Sequence, residues 1–314
     1  MNKNDNLLGY VAELYYERGL SQREIGSIIG ASRPTVSRLI DEAKKQGVVR
    51  IIIDTPVRKN AKLSNKLRKV FDLRDALVVC ADYDFDESIG LCAKAAASFF
   101  STCLQDNMNI GITWGRAVNA FIEAVEEQTG FSGINVAQMA GCMTMKDPTI
   151  DGFSNAQRLA RKLHGTYTSI NAPLFVEGSE VYQYLVNEPI ISDSLTRASK
   201  INLCINGIGS LEDPQNSLTL SGYYDSYNVA LYEEKGAVAS FLGRFIGIDG
   251  RQIDVDDIYQ ICAPLSAVCN ADISIVLNAT AAKAEATLAV INGGYCDVLI
   301  VDEPLANALL ELKK

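Results

Sequence analysis

Residues 21–47 read SQREIGSIIGASRPTVSRLIDEAKKQG, and their caps and stops predict two short helices joined by a tight turn. Ser21 and Glu24 match a capping box, in which a hydroxyl and a carboxylate each bond a backbone amide at the start of a helix. Gly30 is placed to end that helix in the left-handed conformation. The predicted buried stripe of this helix consists of Ile25, Ile28 and Ile29.

The next helix begins after Ser32, a favourable N-cap, with Pro34 in the first turn, where a missing amide costs nothing. It is predicted to run to about Gln46. An earlier helix covers residues 7–16, where apolar residues recur at helical spacing before Gly19. Three helices with a glycine-containing turn between the second and third predict a helix-turn-helix head.

In a helix-turn-helix, the third helix enters the major groove of DNA, and donors on its early outward face reach base edges. Short polar residues at the start of the second helix suit contacts to the phosphate backbone. The predicted DNA-binding residues are Ser21, Gln22, Ser32, Arg33, Pro34, Thr35, Ser37 and Arg38. The sequence leaves open which of the two arginines reads a base.

The charge is divided unevenly along the 314 residues, although the whole chain carries a net charge of −9. Residues 1–69 hold 14 Lys and Arg against 7 Asp and Glu, whereas residues 70–314 hold 15 against 31. Such asymmetry is typical of a nucleic-acid-binding segment attached to an acidic body. The acidic part is therefore excluded as the surface that binds DNA.

The predicted domains are a DNA-binding head at residues 1–55, a linker and helix at 56–71, and an effector-binding and oligomerisation domain at 72–314. Residues 48–53 are mostly β-branched and predict a strand. The apolar spacing of Leu63, Leu67 and Val70 predicts a helix that pairs with a symmetry mate.

Beyond residue 72, short apolar runs alternate with amphipathic helices, and this alternation predicts a doubly wound α/β fold with a parallel sheet. The predicted strands are 76–80, 108–112, 134–139, 166–170, 201–206, 273–277 and 298–301, and the predicted helices are 87–104, 115–128, 155–164 and 281–292.

Glycine or polar residues follow several of these strands. In open α/β sheets, ligands bind at the carboxyl ends of strands near a topological switch point, so these loops are predicted to line an effector pocket. Trp114, the one tryptophan, either packs in the core or stacks on a sugar ring. The residues predicted on this ground are Thr113, Trp114, Gly115, Gly141, Cys142, Gly207 and Gly209.

Composition argues against several other classes of protein. Apolar residues make up 48% of the chain without an uninterrupted run of the ~20 needed to span a bilayer, so a cytoplasmic protein without membrane contact is expected. The eight cysteines include no C-x-x-C pair, and His164 is the one histidine. We therefore expect no disulfide framework, metal site, cofactor or catalytic residue.

The head residues 14–25 and 32–40 resemble those of SorC-type sugar-responsive bacterial regulators. The resemblance continues in order through most of the body, at Pro173-Leu174-Phe175-Val176, Gly236-Ala237-Val238, Gly243-Arg244-Phe245, Asp249-Gly250, Lys283-Ala284-Glu285-Ala286, Gly293-Gly294-Tyr295 and Val301-Asp302-Glu303.

This resemblance implies a body related in fold to glucosamine-6-phosphate deaminase and ribose-5-phosphate isomerase, a homotetramer (a dimer of dimers) on double-stranded operator DNA, and a sugar phosphate effector. It also implies that the loop from Thr113 to Arg116 and the side chain of Lys283 hold the phosphate. Thr280, three residues before that lysine, is predicted to contact the effector as well.

The chain departs from the resemblance at two places. Ala279-Thr280 stands where relatives usually carry two glycines, and Ala239-Ser240 stands where many carry Gly-Asp. An unphosphorylated or differently substituted sugar therefore remains an alternative effector. The alternative function is a sugar-phosphate isomerase-like enzyme, for which Asp147, Asp151 and Asp225 are weak candidate bases.

Overall fold

The computed structural model describes residues 3–49, 57–81, 83–143, 151–213, 216–222 and 229–313. The chain divides into two compact units, Met1–Thr55 and Pro56–Lys314, referred to below as the head and the body.

The head contains the three predicted helices, α1 (Lys3–Ala12), α2 (Gln22–Ile29) and α3 (Arg33–Lys45), and α1 continues into a π-helical turn at Glu13–Glu17. The predicted caps are present. The Ser21 amide donates to Glu24 Oε2 over 2.8 Å, and the Glu24 amide donates to Ser21 Oγ. The stops are glycines with φ of 67° at Gly19, 68° at Gly30 and 72° at Gly47.

Five buried side chains, one or more from each helical segment, form the centre of the head: Val11, Leu14, Ile25, Val36 and Ile40. The prediction that Ile28 is buried was wrong, because its side chain is 52% exposed while Ile25 faces α1 and α3. Gly26 permits the tight turn: a Cβ there would lie 2.5 Å from the backbone oxygen of Ala31.

The predicted strand at 48–53 is not observed where the structure can test it. Val48 and Val49 form a bend after α3, and residues 50–53 lie outside the described ranges.

The predicted positive charge of the head also needs correction. Residues 1–55 hold 8 Lys and Arg against 7 Asp and Glu, because most of the basic excess lies at 57–70, in the body.

The body is built on a seven-stranded parallel sheet, which confirms the predicted fold class and all seven predicted strands. Its order is β1-β13-β12-β6-β2-β3-β4. The strands are β1 (Asp75–Val79), β2 (Asn109–Ile112), β3 (Asn135–Gln138), β4 (Thr166–Thr168), β6 (Leu203–Gly207), β12 (Ile273–Leu277) and β13 (Val298–Asp302).

The direction in which strands are added reverses between β2 and β6. From β2 the chain proceeds to β3 and β4 at one edge, whereas from β6 it proceeds through β12 and β13 toward the other. Adjacent loops at this point diverge to opposite faces of the sheet, leaving a crevice at the carboxyl ends of the two strands.

The body helices include the one predicted within 56–71 and the four predicted beyond residue 72, with bounds shifted by a few residues. They are α4 (Ala61–Val70), α5 (Phe85–Cys103), α6 (Arg116–Ala124), α7 (Gly152–Lys162), α8 (Ser179–Asn187), α9 (Pro189–Ala198), α10 (Ser217–Leu220), α11 (Val229–Glu234), α12 (Leu265–Cys269), α13 (Ala284–Asn292) and α14 (Glu303–Leu312).

Two small antiparallel sheets were not predicted from the sequence. One has the order β10-β9-β8-β7, and the other pairs β5 with β11. Their strands are β5 (Phe175–Glu177), β7 (Gly209–Ser210), β8 (Ala237–Phe241), β9 (Arg244–Gly247), β10 (Gln252–Ile253) and β11 (Ile258–Gln260).

Helix α4 packs on its own body. Leu67 is fully buried in the main core cluster, and Leu63 packs against the same cluster, with β1 and α14 as neighbours. Of the three apolar residues that predicted pairing with a symmetry mate, only Val70 is exposed. Their apolar surface is thus largely used within one chain.

Candidate functional site

A cavity of about 580 Å³, including the part open to solvent, lies where the strand order reverses. It brings together the loops after β2 and β6, the starts of α5 and α10, strand β8 and the segment before α13. Its lining includes Phe85, Thr113, Trp114, Gly115, Arg116, Ala117, Gly207, Ile208, Gly209, Asn216, Ser217, Leu218, Ser240, Leu242 and Lys283.

Helix α6 begins at this cavity with a start suited to an anion. Its N-cap is Gly115, with φ of 109°, and no side chain caps its first amides. A Cβ at Gly115 would also lie 3.3 Å from Ser217 Oγ. Because uncapped amides and the helix dipole both favour negative charge, this end of α6 can bind a phosphate or carboxylate.

Two cations lie close together at the same wall. Lys283 Nζ and Arg116 Cζ lie 4.2 and 4.3 Å from the centroid of the Phe85 ring. Lys283 Nζ is 3.6 Å from Asp213 Oδ2, and Arg116 Nη1 is 3.3 Å from Asp86 Oδ1. The ring holds both cations at the cavity wall, where an anionic ligand can compete with the two carboxylates.

Burial governs the protonation of Lys283, which is only 6% exposed. Loss of solvation lowers the pKa of its ammonium to about 8; the nearby Asp213 carboxylate opposes this shift, and the positive charge of Arg116 adds to it. A bound anion would favour the charged form.

The loop that presents Lys283 is strained. Thr280 adopts φ 72° and ψ 139°, a conformation that glycine tolerates and a β-branched residue disfavours. Its amide donates to Asp302 Oδ2 over 2.9 Å, and its carbonyl accepts from the Lys283 amide over 3.1 Å. Asp302 is fully buried at the end of β13, and burial raises the pKa of its carboxyl.

Thr113 connects the cavity to buried polar groups beneath it. Its hydroxyl donates to Asn206 Oδ1 over 3.3 Å, and its carbonyl accepts from Asn155 Nδ2 over 3.2 Å. Asn206 Nδ2 and Asn155 Oδ1 are buried, with no hydrogen-bond partner in the part of the chain that the structure describes. An unused donor and an unused acceptor thus lie beneath the cavity, close to Thr113 and outside the lining of the cavity.

Seven of the ten residues predicted to contact the effector line this one cavity. They are Thr113, Trp114, Gly115, Arg116, Gly207, Gly209 and Lys283. Trp114 is half-buried and also packs on the core beside Gly243.

The other three, Gly141, Cys142 and Thr280, do not line it. Gly141 allows close backbone packing, since a Cβ there would lie 2.7 Å from the carbonyl oxygens of Ala172 and Pro173. Cys142 is engaged by the same segment, its amide donating to Ala172 O over 2.8 Å. Thr280 acts on the cavity only through the loop that it shapes.

Phe85, Asp213 and Asn216 belong to this site but were not predicted from the sequence. Phe85 follows Asp84, which caps α5 through the Glu87 amide, so a helix start was visible but its approach to Lys283 was not. Asn216 caps α10 and donates to Ser210 O over 3.1 Å. No local pattern marks Asp213 as the partner of a lysine seventy residues away.

In the head, the predicted DNA-binding residues cluster around the starts of α2 and α3. Arg33 and Arg38 are exposed, and Gln22 and Ser37 are half-buried. Ser21 and Ser32 cap the two helices, and the Thr35 hydroxyl lies 2.8 Å from Ser32 Oγ. The two arginines therefore remain the strongest candidates for contacts to bases.

Within the described ranges, no three His, Cys, Asp or Glu side chains are grouped so as to hold a metal ion. Over the same residues, no helix combines the length and apolar character needed to cross a membrane.

Curated relatives match nearly the whole chain. The protein named "Uncharacterized transcriptional regulator YjhU" from Escherichia coli K12 is 27% identical over 98% of this chain and 95% of its own length. "Transcriptional regulator LsrR" from Klebsiella pneumoniae is 26% identical over 98% and 94%.

Solved structures show the same fold. The full-length sorbitol operon regulator SorC from Klebsiella pneumoniae superposes with a TM-score of 0.72 at 21% identity, over 98% of this chain and all of that one. A DeoR family transcriptional regulator from Listeria monocytogenes gives 0.71 at 22% identity, over 79% and 98%.

The model of one protein family, described as "Putative sugar-binding domain", matches residues 55–311. This match covers the cavity and the entire parallel sheet, and it begins where the head ends. It confirms the SorC-type resemblance inferred from the ordered body motifs. The chain belongs to this sugar-binding family.

Proposed function

We propose that the protein is a transcriptional regulator of a carbohydrate-utilisation operon, with an affinity for operator DNA that is set by a sugar phosphate in the body cavity. The observation that carries this proposal is the joint placement of Arg116, Lys283 and the uncapped start of α6 around one cavity at the strand-order reversal. Family membership supports a sugar as the ligand.

The head supports the DNA-binding half of the proposal. A capped helix-turn-helix presents Arg33 and Arg38 on the outward side of α3, where major-groove recognition requires donors. Relatives that match both units are named transcriptional regulators. One structural neighbour is named a sorbitol operon regulator, which favours a carbohydrate-related operon.

The cavity chemistry favours a phosphorylated ligand over a neutral sugar. A neutral sugar needs no positive charge for its hydroxyl groups to bind. A phosphate, in contrast, can accept hydrogen bonds from two cations and the amides of a helix start at once. Thr113 and Ser240, which line the same cavity, then suit the hydroxyls of the sugar. Ligand binding changes DNA affinity only by the difference in its affinity for the two states, typically about 1 to 3 kcal/mol.

A panel of sugar phosphates, each paired with its free sugar, tests the proposal by thermal shift, by product analysis and by DNA binding. We expect a phosphorylated member to raise the melting temperature, to change the affinity for DNA and to yield no product. Lys94→Met, at an exposed lysine on α5, is the control for Lys283→Met and should respond like wild type. Equal responses of both variants would refute the assigned pocket.

A second candidate function is turnover of an aldose or ketose phosphate. It is favoured by Lys283, because an amine with a pKa of about 8 in a ligand cavity can serve as a base. Asp151 instead caps α7, with Oδ2 accepting from the Phe153 amide over 3.0 Å, and residues 147 and 225 lie outside the described ranges. If wild type forms product from a sugar phosphate and the Lys283→Met variant does not, this function would be established.

The proposed assembly is a homotetramer. Helices α8 and α9 expose three large apolar side chains, Val181 at 50%, Tyr184 at 76% and Ile190 at 67%. Large apolar side chains exposed on two neighbouring helices favour a protein interface at this surface. Sedimentation at several protein concentrations, with and without DNA, tests this assembly, and a monomer under all conditions would contradict it.

A further inference from the structure

The segment that joins the head to the sheet is the most basic part of the chain. Residues 57–70 hold six Lys and Arg and no Asp or Glu, whereas residues 71–314 hold 15 against 31. All six cationic residues are exposed. We call them the basic strip: Arg58, Lys59, Lys62, Lys66, Arg68 and Lys69.

The basic strip lies on a firmly attached surface. Asn60 and Cys80 donate their amides to the carbonyls of Val78 and Arg58 over 2.8 and 2.9 Å, which ties the segment to β1. Asn60 also caps α4 and donates Nδ2 to Glu303 Oε1 over 2.6 Å. With Leu67 buried beneath it, α4 fixes the backbone positions from which its cationic side chains extend.

The arrangement of the charges is unfavourable in isolation. Lys62, Lys66 and Lys69 follow one another at spacings of four and three, so they share one face of α4 and repel each other. No carboxylate of the described residues comes within 4.0 Å of any of the six cations. The helix dipole stabilises only Arg68 and Lys69, in the last turn.

The head, in contrast, carries little net charge. With 8 Lys and Arg against 7 Asp and Glu, residues 1–55 provide a weak electrostatic attraction for a polyanion. Binding to DNA draws most of its sequence-independent affinity from cations that neutralise phosphates and release counterions. The basic strip begins three residues after the head and supplies the missing cations.

We propose that the basic strip is a second DNA contact, in which Lys62, Lys66 and Lys69 of the body neutralise backbone phosphates of the duplex that the head reads. The inference rests on the proposed function, because it assumes that the protein binds DNA. It adds a sequence-independent surface on the body, which bears the effector cavity. Repulsion along α4 is relieved when phosphates replace water around the lysines.

The test compares two triple variants of the full-length protein with equal changes in charge. The strip variant carries Lys62→Gln, Lys66→Gln and Lys69→Gln, and the control carries Lys94→Gln, Lys200→Gln and Arg251→Gln, at exposed positions elsewhere on the body. Affinity for a random-sequence duplex is measured over a series of salt concentrations, and the melting temperature of each variant verifies folding.

We expect the strip variant to keep or raise the melting temperature and to lower the slope of log affinity against log salt. The slope should fall by about 0.9 for each phosphate contact removed, and therefore by about 2.7 for three contacts. The control should keep the wild-type slope. An equal decrease of the slope in both variants would mean that it depends on total charge and not on the position of the strip, which would overturn the inference.

Failure of this inference can be separated from failure of the proposed function. If wild type shows no salt-sensitive attraction for duplex DNA, the proposed function fails. If wild type binds and the folded strip variant has the wild-type slope, only the second contact is refuted, and an acidic protein becomes the alternative partner of the strip.

Discussion

The head and the body place their functional residues by different means. In the head, Arg33 is presented by a helix whose start is set one residue earlier by Ser32. In the body, Phe85, Arg116 and Lys283 meet at one cavity wall although almost two hundred residues separate the first from the last. The proposed DNA-reading surface is thus specified by residues close together in the sequence, whereas the proposed effector site depends on the order of the strands.

The contrast extends to charge and strain. The candidate arginines of the head are exposed and its helices stop at glycines, whereas the candidate site of the body buries Lys283 and depends on Thr280 in a glycine-like conformation. Both features of the body cost stability and are located at the ligand cavity or in the loop that shapes it. The following experiments distinguish the two units, because each affects a property of one unit. They are ordered from the largest expected effect to the smallest.

Lys283→Met should remove the response to a phosphorylated effector, because a buried charged partner of the phosphate is lost. The expected cost is about 2 to 5 kcal/mol of effector affinity, measured by calorimetry with the sugar phosphate identified by thermal shift. Unligated stability should not fall, because burying the ammonium is itself unfavourable. Wild-type affinity in this variant would place the phosphate elsewhere.

Gly26→Ala should disrupt the head and leave the body folded. The new Cβ would lie 2.5 Å from the Ala31 carbonyl oxygen, so the turn between α2 and α3 must shift at an expected cost of about 1 to 3 kcal/mol. DNA binding should fall while the effector still raises the melting temperature of the body.

Gly9→Ala provides the matched control, since a Cβ at that position of α1 meets no atom within 4 Å. It should stabilise the head by up to about 1 kcal/mol through helix propensity. Loss of DNA binding in both glycine variants would show that the turn is not the cause.

Arg33→Ala and Arg38→Ala, measured separately, identify the arginine that reads a base. Loss of a base contact should cost about 1 to 3 kcal/mol on a duplex selected by the wild-type protein and relax the preference at one position. Loss of a phosphate contact should weaken binding to all sequences alike and reduce the salt slope by about 1. Two variants indistinguishable from wild type would exclude α3 as the reading helix.

Thr280→Gly should stabilise the body by about 1 kcal/mol, because glycine adopts φ 72° without the clash of a β-branched side chain. Chemical denaturation measures the gain. Thr287→Gly is a contrasting change in α13, where the hydroxyl donates to Lys283 O over 2.7 Å, and it should destabilise. A loss of stability in Thr280→Gly would mean that its strain is offset by contacts of the side chain.

The affinity for a phosphorylated effector should decline as the pH rises through about 8, since Lys283 then loses its proton. The folded pKa lies below the ordinary value of 10.5, so the unfolded chain binds more protons between the two values. Unligated stability should therefore rise with pH across that window. Lys283→Met should flatten both profiles, whereas a wild-type affinity that is unchanged between pH 7 and 9 would contradict the assignment.

Much of the architecture follows from short stretches of sequence. The capping box at Ser21, the N-cap at Ser32 and the glycine stops specify the head because each acts within a few residues. Six of the seven runs form strands that are mostly buried, as expected for a parallel sheet covered on both faces, whereas the edge strand β4 is mostly exposed. The glycines and polar residues after β2 and β6 marked those loops as part of a site.

Contacts between residues far apart in the sequence were decided by tertiary packing. No local pattern relates Lys283 to Asp213 and Phe85, excludes Gly141 and Cys142 from the cavity, or seats α4 on β1 with its lysines outward. Cap geometry and hydrophobic periodicity act between near neighbours in the chain. Strand order, the burial of a charge and the contacts of a loop depend on how distant segments fill space together.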